Sequence, residues 1–426
     1  MRIQSEQTKA LISTSIIRED ERFVTVSLST KETVEQSAYA QALRLVYGEI
    51  LTSGSGKLSR EAFHDALSKL GSEIKISSSG TLTTASLRSL DTKLGATIKL
   101  FEAMIKAPLF EATELQRIKE YLRNNLLLLK EDARSESYRN FVASLVHSDD
   151  PRYIFGVDEV ILNLKKVTKQ DLIKYHTSLW KSDWIVTCGG SEACCKTSLS
   201  AVEKLRKFTH SKTLTESKQL KIEQTEGKRV VLTDIPNKQN IEFSIGGSVQ
   251  LTMNDHDYIP LMFGMCVLGI YGGFSGRLMS SVREKEGLTY SIYAQLEGIT
   301  LHDQGFWRIM TFFASKDAVK GITSTLREVK KIAEEGITAN ELKRFKSILK
   351  TRYALIEDSL LKKVRESHTV RIAGLSVDEF MLLQNAIEKL SVTEVNSALK
   401  KHINVKSLII SGAGPISSVA PDIRKI

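Results

Sequence analysis

Apolar residues along the chain recur with two different periods. A period of two marks residues 23–28, 73–77, 229–232, 241–246 and 307–313 as strands. A period of 3.6 predicts amphipathic helices near residues 60–70, 94–105 and 318–334. Strands, then two or three helices, then a strand, occur twice. That order predicts an α+β fold with helices layered on a sheet in each half.

The two halves also match in detail. Ala112-Thr113-Glu114-Leu115-Gln116-Arg117-Ile118-Lys119 in the first half is repeated by Ala339-Asn340-Glu341-Leu342-Lys343-Arg344-Phe345-Lys346 in the second. Apolar and polar positions coincide after one constant shift, and each segment follows another amphipathic helix. A second match closes each half. Thr168 with Asp171, and Ser391 with Glu394, have the spacing of a capping box, in which side chain and backbone satisfy each other at a helix start. The helices they open run to about Trp180 and His402. Apolar strands at 184–187 and 407–410 follow, ending near Gly189 and Gly412. Two independent matches in the same order predict duplicated α+β domains. Residues 208–224 are poor in apolar side chains and read as the linker, so the domains are expected over 1–212 and 213–426.

Composition narrows the function. The chain has 426 residues, 42% of them hydrophobic and 26% charged, enough for two ordinary cores. Its net charge of +10 comes from Lys and Arg interspersed with Glu and Asp on helix faces. Glu335 with Lys331 and Glu341 with Arg344 are expected as pairs on solvated helices. There is no basic tail and no interleaving of basic and aromatic residues, which argues against nucleic acid as a partner. No apolar run approaches the ~18 residues of a membrane span. The four leucines 126–129 are expected in the core. The stretch 1–16 contains Gln4, Lys9 and Ser13 and does not read as a signal peptide, so a soluble cytoplasmic protein is expected. A trimmed leader would make it periplasmic. Cys188 and Cys266 lie in apolar runs and are expected as small core residues, while Cys194 and Cys195 are open between a structural and a reactive role. None of the four has zinc spacing. The eight histidines are dispersed with no close pair on one helix face; His64 reads as a boundary residue and His176 as similarly ordinary. Neither a Gly-x-Ser-x-Gly elbow nor a nucleotide-binding motif is present.

The most specific segment is Gly272-Gly273-Phe274-Ser275-Gly276-Arg277-Leu278, followed by Val282-Arg283-Glu284-Lys285-Glu286-Gly287-Leu288-Thr289-Tyr290-Ser291-Ile292-Tyr293. A glycine cluster feeds a helix that exits at Gly287. This block closely resembles the second-domain signature of the M16 (pitrilysin/insulinase-like) zinc metallopeptidases. The resemblance extends over essentially the whole chain, though only this block is specific. It implies two homologous domains, each an antiparallel-rich sheet packed with helices.

In that family the first domain carries His-x-x-Glu-His, two imidazoles one turn apart that bind zinc and a glutamate that activates water. Here the motif is absent. By resemblance its positions fall at Leu45, Gly48 and Glu49 within 42–55, and Asn124 and Asn125 stand where a third ligand would come. Leucine and glycine offer no donor, so no metal and no cofactor are expected in this chain. By contrast, Arg283 and Tyr290 match the Arg and Tyr with which the family binds and orients peptide. On one straight helix a spacing of seven would bring them within roughly 20° of each other, although Gly287 interrupts that helix. Arginine offers a permanent cation to a peptide carbonyl or carboxylate, and tyrosine a hydrogen bond to developing oxyanion charge. Taken alone, the two read as a surface ion-pair partner and a packed aromatic, and only the full block reverses that reading. Gly269, Gly272 and Gly273 are expected to face substrate with their backbone.

The resemblance therefore implies a non-catalytic, substrate-binding subunit of a heterodimeric peptidase. A homologous partner would bring the zinc, and unfolded or short peptides would be cut in a shared cavity. In isolation the chain can pair with itself. The alternative is an inert scaffold of the same fold, resembling the core subunits of the respiratory bc1 complex.

Overall fold

A computed structural model describes every residue except 9–10, 32–34, 211–218, 271–272 and 274. Part of the predicted linker and Gly272 lie outside the described residues. The chain forms two compact units. The first comprises Met1–Leu126, Phe155–Ser217 and Arg352–Val377; the second comprises Leu127–Ile154, Lys218–Thr351 and Asp378–Ile426.

The first unit is built on a six-stranded sheet of β1 (Arg2–Thr8), β2 (Leu11–Ile17), β3 (Phe23–Lys31), β4 (Glu73–Ser79), β5 (Leu82–Leu90) and β6 (Trp184–Gly190), in the order β1-β2-β6-β3-β5-β4. The second holds β7 (Lys228–Asp234), β8 (Asn240–Val249), β9 (Ile292–Glu297), β10 (Gly305–Ala314) and β11 (Leu408–Gly414), in the order β7-β11-β8-β10-β9. Remove the edge strand β1 and the two sheets have one topology. In each, the strand closing the half lies parallel to the first neighbour and antiparallel to the second: β6 between β2 and β3, β11 between β7 and β8. The remaining pairings are antiparallel in both. This is the duplicated, antiparallel-rich α+β architecture expected from the sequence.

Both capping boxes form. The Asp171 N–H donates to Thr168 Oγ1 (3.2 Å) and the Thr168 N–H to Asp171 Oδ2 (2.9 Å). Ser391 and Glu394 make the same reciprocal pair at 3.2 and 2.8 Å. The repeated segments open two helices of equal length, Ala112–Lys130 and Ala339–Glu357, each 19 residues.

Four strands escaped the hydropathy pattern, and burial explains two of them. β2 buries Ser13, Thr14 and Ser15, and β5 alternates correctly but places Thr83 and Ser89 among its inward residues. Hydroxyls inside a sheet look like surface in a hydropathy profile. The leucine run needs the opposite correction. Leu126 is buried, whereas Leu127, Leu128 and Leu129 are exposed. The helix buries Leu115, Ile118, Leu122 and Leu126, a stripe spaced by three and four, so the residues after Leu126 turn away from it.

Each sheet is covered by a helix from the other half of the sequence. Leu360–Ile372 lies on β6, β3 and β2, with Leu360 and Val364 packed against Ile16. The approach is so close that a Cβ on Gly189 would stand 2.4 Å from Val364 Cγ2. Ala133–Ala143 lies on β11, β8 and β7, with Phe141 edge-on to Phe306 at 5.6 Å. Among the described residues no helix is long and apolar enough to cross a membrane.

Candidate functional site

The glycine-rich block becomes a helix that starts against the end of another. Helix Tyr258–Gly269 is buried along most of its length and ends at Gly269. A Cβ on Gly276, whose φ is +129°, would lie 2.8 Å from Gly269 Cα. Only glycine fits that approach, and it sets where the following helix begins. Residues Met279–Lys285 then wind as a π-helix, with the Glu286 N–H bonded to Ser281 O at 3.0 Å. Gly287, at φ +65°, ends it; its N–H bonds Arg283 O and the Leu288 N–H bonds Val282 O, both at 3.0 Å.

The helix exit brings the two expected substrate residues together. Arg283 Cζ sits 4.9 Å from the centre of the Tyr290 ring, a cation–π contact. Arg283 is half-buried, while Tyr290 is 69% exposed. Thr289 fixes the backbone beside Tyr290: its hydroxyl donates to Ser291 O (3.1 Å) and accepts from the Ser291 N–H (3.3 Å). An exposed phenol on a clamped backbone, with a cation against its face, can offer a hydrogen bond and a positive charge to one ligand.

A carboxylate network supports this helix, and sequence reasoning missed it. Glu286 accepts from the Ser324 hydroxyl (2.6 Å) and Arg327 Nη2 (2.5 Å), and these two donors hold its carboxyl below the usual range. Ser281 donates to Glu328 at 2.9 Å. At the helix start Arg277 forks onto Glu341 through Nε (2.7 Å) and Nη2 (2.8 Å), and Nη2 also reaches Gly336 O (2.7 Å). Burial pushes the Glu341 carboxyl up, but the bonds from Arg277 and Thr338 prevail and lower it. This corrects the expected Glu341–Arg344 pair, because the tertiary partner is a planar donor fork. Arg344 lies over the Phe345 ring instead, 5.8 Å from its centre.

Of the glycines expected to face substrate, Gly269 is buried beside Ala294 and Leu278, and the Gly273 N–H bonds Ile270 O at 3.3 Å. Gly272 lies outside the described residues.

The helix matched to the zinc motif is Ala38–Ile50. On it Leu45 is half-buried and Glu49 exposed, and a Cβ on Gly48 would meet nothing within 4 Å. Asn124 is exposed and Asn125 half-buried. This donor set does not fit zinc, since it offers one carboxylate and two neutral amides without an imidazole. Among the described residues no group of three or more His, Cys, Asp and Glu side chains is placed to hold a metal.

Next to those positions the helix carries Tyr47, which anchors a buried relay. Trp180 Nε1 donates to Tyr47 Oη (2.7 Å), and His176 Nδ1 lies 2.8 Å from the same oxygen. His176 Nε2 lies 2.9 Å from Ile105 O, which can only accept, so Nε2 carries the proton and the Tyr47 hydroxyl donates to Nδ1. Burial lowers the His176 imidazole to about 4. Nothing in the local sequence distinguished this histidine from an ordinary one.

Comparison with known proteins agrees with this architecture. Residues 166–349 match the Peptidase M16 inactive domain family. The chain is 22% identical over 312 residues to a protein of Helicobacter pylori (strain ATCC 700392 / 26695) described as the non-peptidase homolog YmxG, covering 72% of this chain and 68% of that one. The crystal structure of a peptidase M16 inactive domain from Pseudomonas fluorescens superposes with a TM-score of 0.83 at 19% identity, over 97% of this chain and 98% of that one. A protease from Helicobacter pylori superposes at 0.78 with 16% identity, over 97% and 99%. The match to the Peptidase M16 inactive domain is confined to residues 166–349, while the fold of nearly the whole chain is that of the M16-like structures.

Proposed function

We propose that this chain is the substrate-binding subunit of a two-component M16 peptidase whose zinc is held by a homologous partner. Peptide hydrolysis would belong to the pair, acting on unfolded or short peptides in a cavity that both subunits enclose. Arg283 would hold a peptide carbonyl or carboxylate. Tyr290 would donate its hydroxyl proton as a hydrogen bond to the oxygen that gains charge in the transition state. The segment containing Gly269, Gly272 and Gly273 would border the bound peptide, and the +10 charge would favour acidic sequences.

The observation that carries this reading is the Arg283–Tyr290 contact at 4.9 Å, with the tyrosine left 69% exposed. An aromatic serving only as packing would be buried. A second reading, an inert scaffold resembling bc1 core subunits, has its own support in the relative described as a non-peptidase homolog. Turnover by the reconstituted pair separates the two. Arg283→Ala and Tyr290→Phe are each expected to lower kcat by about tenfold or more with assembly intact. Wild-type turnover in both variants would remove the role assigned to them.

A further inference from the structure

One guanidinium grips the turn that carries Arg283. Arg327 stands on helix Ala318–Glu335 and donates through the same Nη2 to Ser281 Oγ (2.9 Å) and Glu286 Oε1 (2.5 Å). Those two residues are the ends of the closing π-turn, in which the Glu286 N–H bonds Ser281 O at 3.0 Å. The grip is braced from its own helix. Ser281 donates onward to Glu328 (2.9 Å), Ser324 donates to the second oxygen of Glu286 (2.6 Å), and Arg327 Nε reaches Glu328 at 3.3 Å.

This bridge suits the π register and not the α register. On an α-helix, residues five apart differ by about 140° in direction, so the two side chains would point to different sides of it. An i→i+5 bond stacks them on one face instead, where a single donor reaches both. The π-turn is a rare winding, and the bonds from Arg327 hold its two ends together. Arg283 lies inside that turn, between Ser281 and Glu286. Were the turn to relax to an α-helix, its side chain would swing away from the Tyr290 ring, whose centre it now meets at 4.9 Å. The start of the helix has a separate anchor in the fork of Arg277 onto Glu341. The Arg327 side chain is itself 52% exposed, and ion pairs of that kind add little to global stability, so its effect is local.

We infer that Arg327 is a positioning residue: by holding Ser281 and Glu286 in the π register, it sets Arg283 against Tyr290 and so presents the pair to a ligand. That the ligand is a peptide rests on the function proposed above.

NMR of the full chain labelled at arginine tests it, with the Arg283 signals assigned through Arg283→Lys. The Tyr290 ring should shift the Arg283 side-chain protons upfield, and Tyr290→Leu should remove that shift. Arg327→Met, which keeps the apolar stem and loses the donors, is expected to lose at least about half of the shift with the urea midpoint unchanged. Arg327→Lys, again a cation with several donors, should recover most of it. In the reconstituted pair Arg327→Met should lower kcat/KM about fivefold, less than Arg283→Ala. The inference fails if Arg327→Met keeps the wild-type shift, or if Arg327→Lys loses as much of it as Arg327→Met. It fails equally if the urea midpoint falls along with the shift, because the role is then general stability. Loss of the shift with wild-type kcat/KM would leave the positioning role standing and remove the peptide-handling reading instead.

Discussion

Replacing His368 with glutamine isolates one contribution to acid stability. His368 lies on Leu360–Ile372, buried against the first sheet, where Nε2 meets Ser29 Oγ at 2.7 Å and Nδ1 meets Thr187 Oγ1 at 3.1 Å. Burial lowers its imidazole to about 4, whereas a histidine of the unfolded chain titrates near ~6.5. Between those values the unfolded chain takes up a proton that the folded chain refuses. The contribution is therefore intact above the unfolded pKa and is lost as pH falls towards the folded one. Linkage makes the loss about 2 kcal/mol between about pH 7 and about pH 4.5. Trp180 and Trp184 belong to the first unit and Trp307 to the second. Urea unfolding followed by tryptophan fluorescence in a Trp307→Phe background therefore reports the unit that holds His368. His176 is present in both proteins, so its own contribution cancels. The wild type should lose about 2 kcal/mol more than His368→Gln on going from the higher to the lower pH. Equal losses, or an imidazole that titrates near ~6.5 in the folded protein, would refute the reasoning.

Other substitutions test separate parts of the account. Gly276→Ala would force a Cβ to 2.8 Å from Gly269 Cα at φ +129° and should cost about 3 kcal/mol in urea unfolding. Tyr47→Phe leaves the buried Trp180 N–H and His176 Nδ1 without their shared partner. It should also cost about 3 kcal/mol, while an unchanged midpoint would mean that the relay carries no stability. Leu126→Ala should lose about 3 kcal/mol and Leu128→Ala less than about 0.5, since the first is 6% exposed and the second 72%.

What the sequence revealed of the fold was mostly local in origin. The capping boxes at Thr168 and Ser391 are bonds between residues three apart, so their spacing is visible in one dimension. The closing strands β6 and β11 are dense in apolar residues and follow those helices directly, which made the duplication readable. β2 and β5 were hidden because their inward positions include Ser13, Ser15, Thr83 and Ser89, hydroxyls whose burial only the sheet discloses. The same limit applies to the site. Arg283 and Tyr290 were singled out through the motif around them, but the helix supports were not. Arg277 meets Glu341 across 64 residues and Arg327 meets Glu286 across 41, and neither pairing has a trace in local spacing. His176 likewise owes its lowered pKa to burial, and its tautomer to Tyr47 and Ile105, which lie far from it in sequence.

The most direct test of the central claim is cleavage of an unstructured peptide by the purified chain, alone and mixed with a homologous subunit that carries His-x-x-Glu-His, with bound zinc measured in each. The account predicts no zinc and no cleavage for the chain alone, and zinc-dependent turnover by the mixture above that of the partner by itself. Cleavage by the isolated chain with stoichiometric zinc bound to it would contradict the account, and so would a mixture no more active than the partner alone.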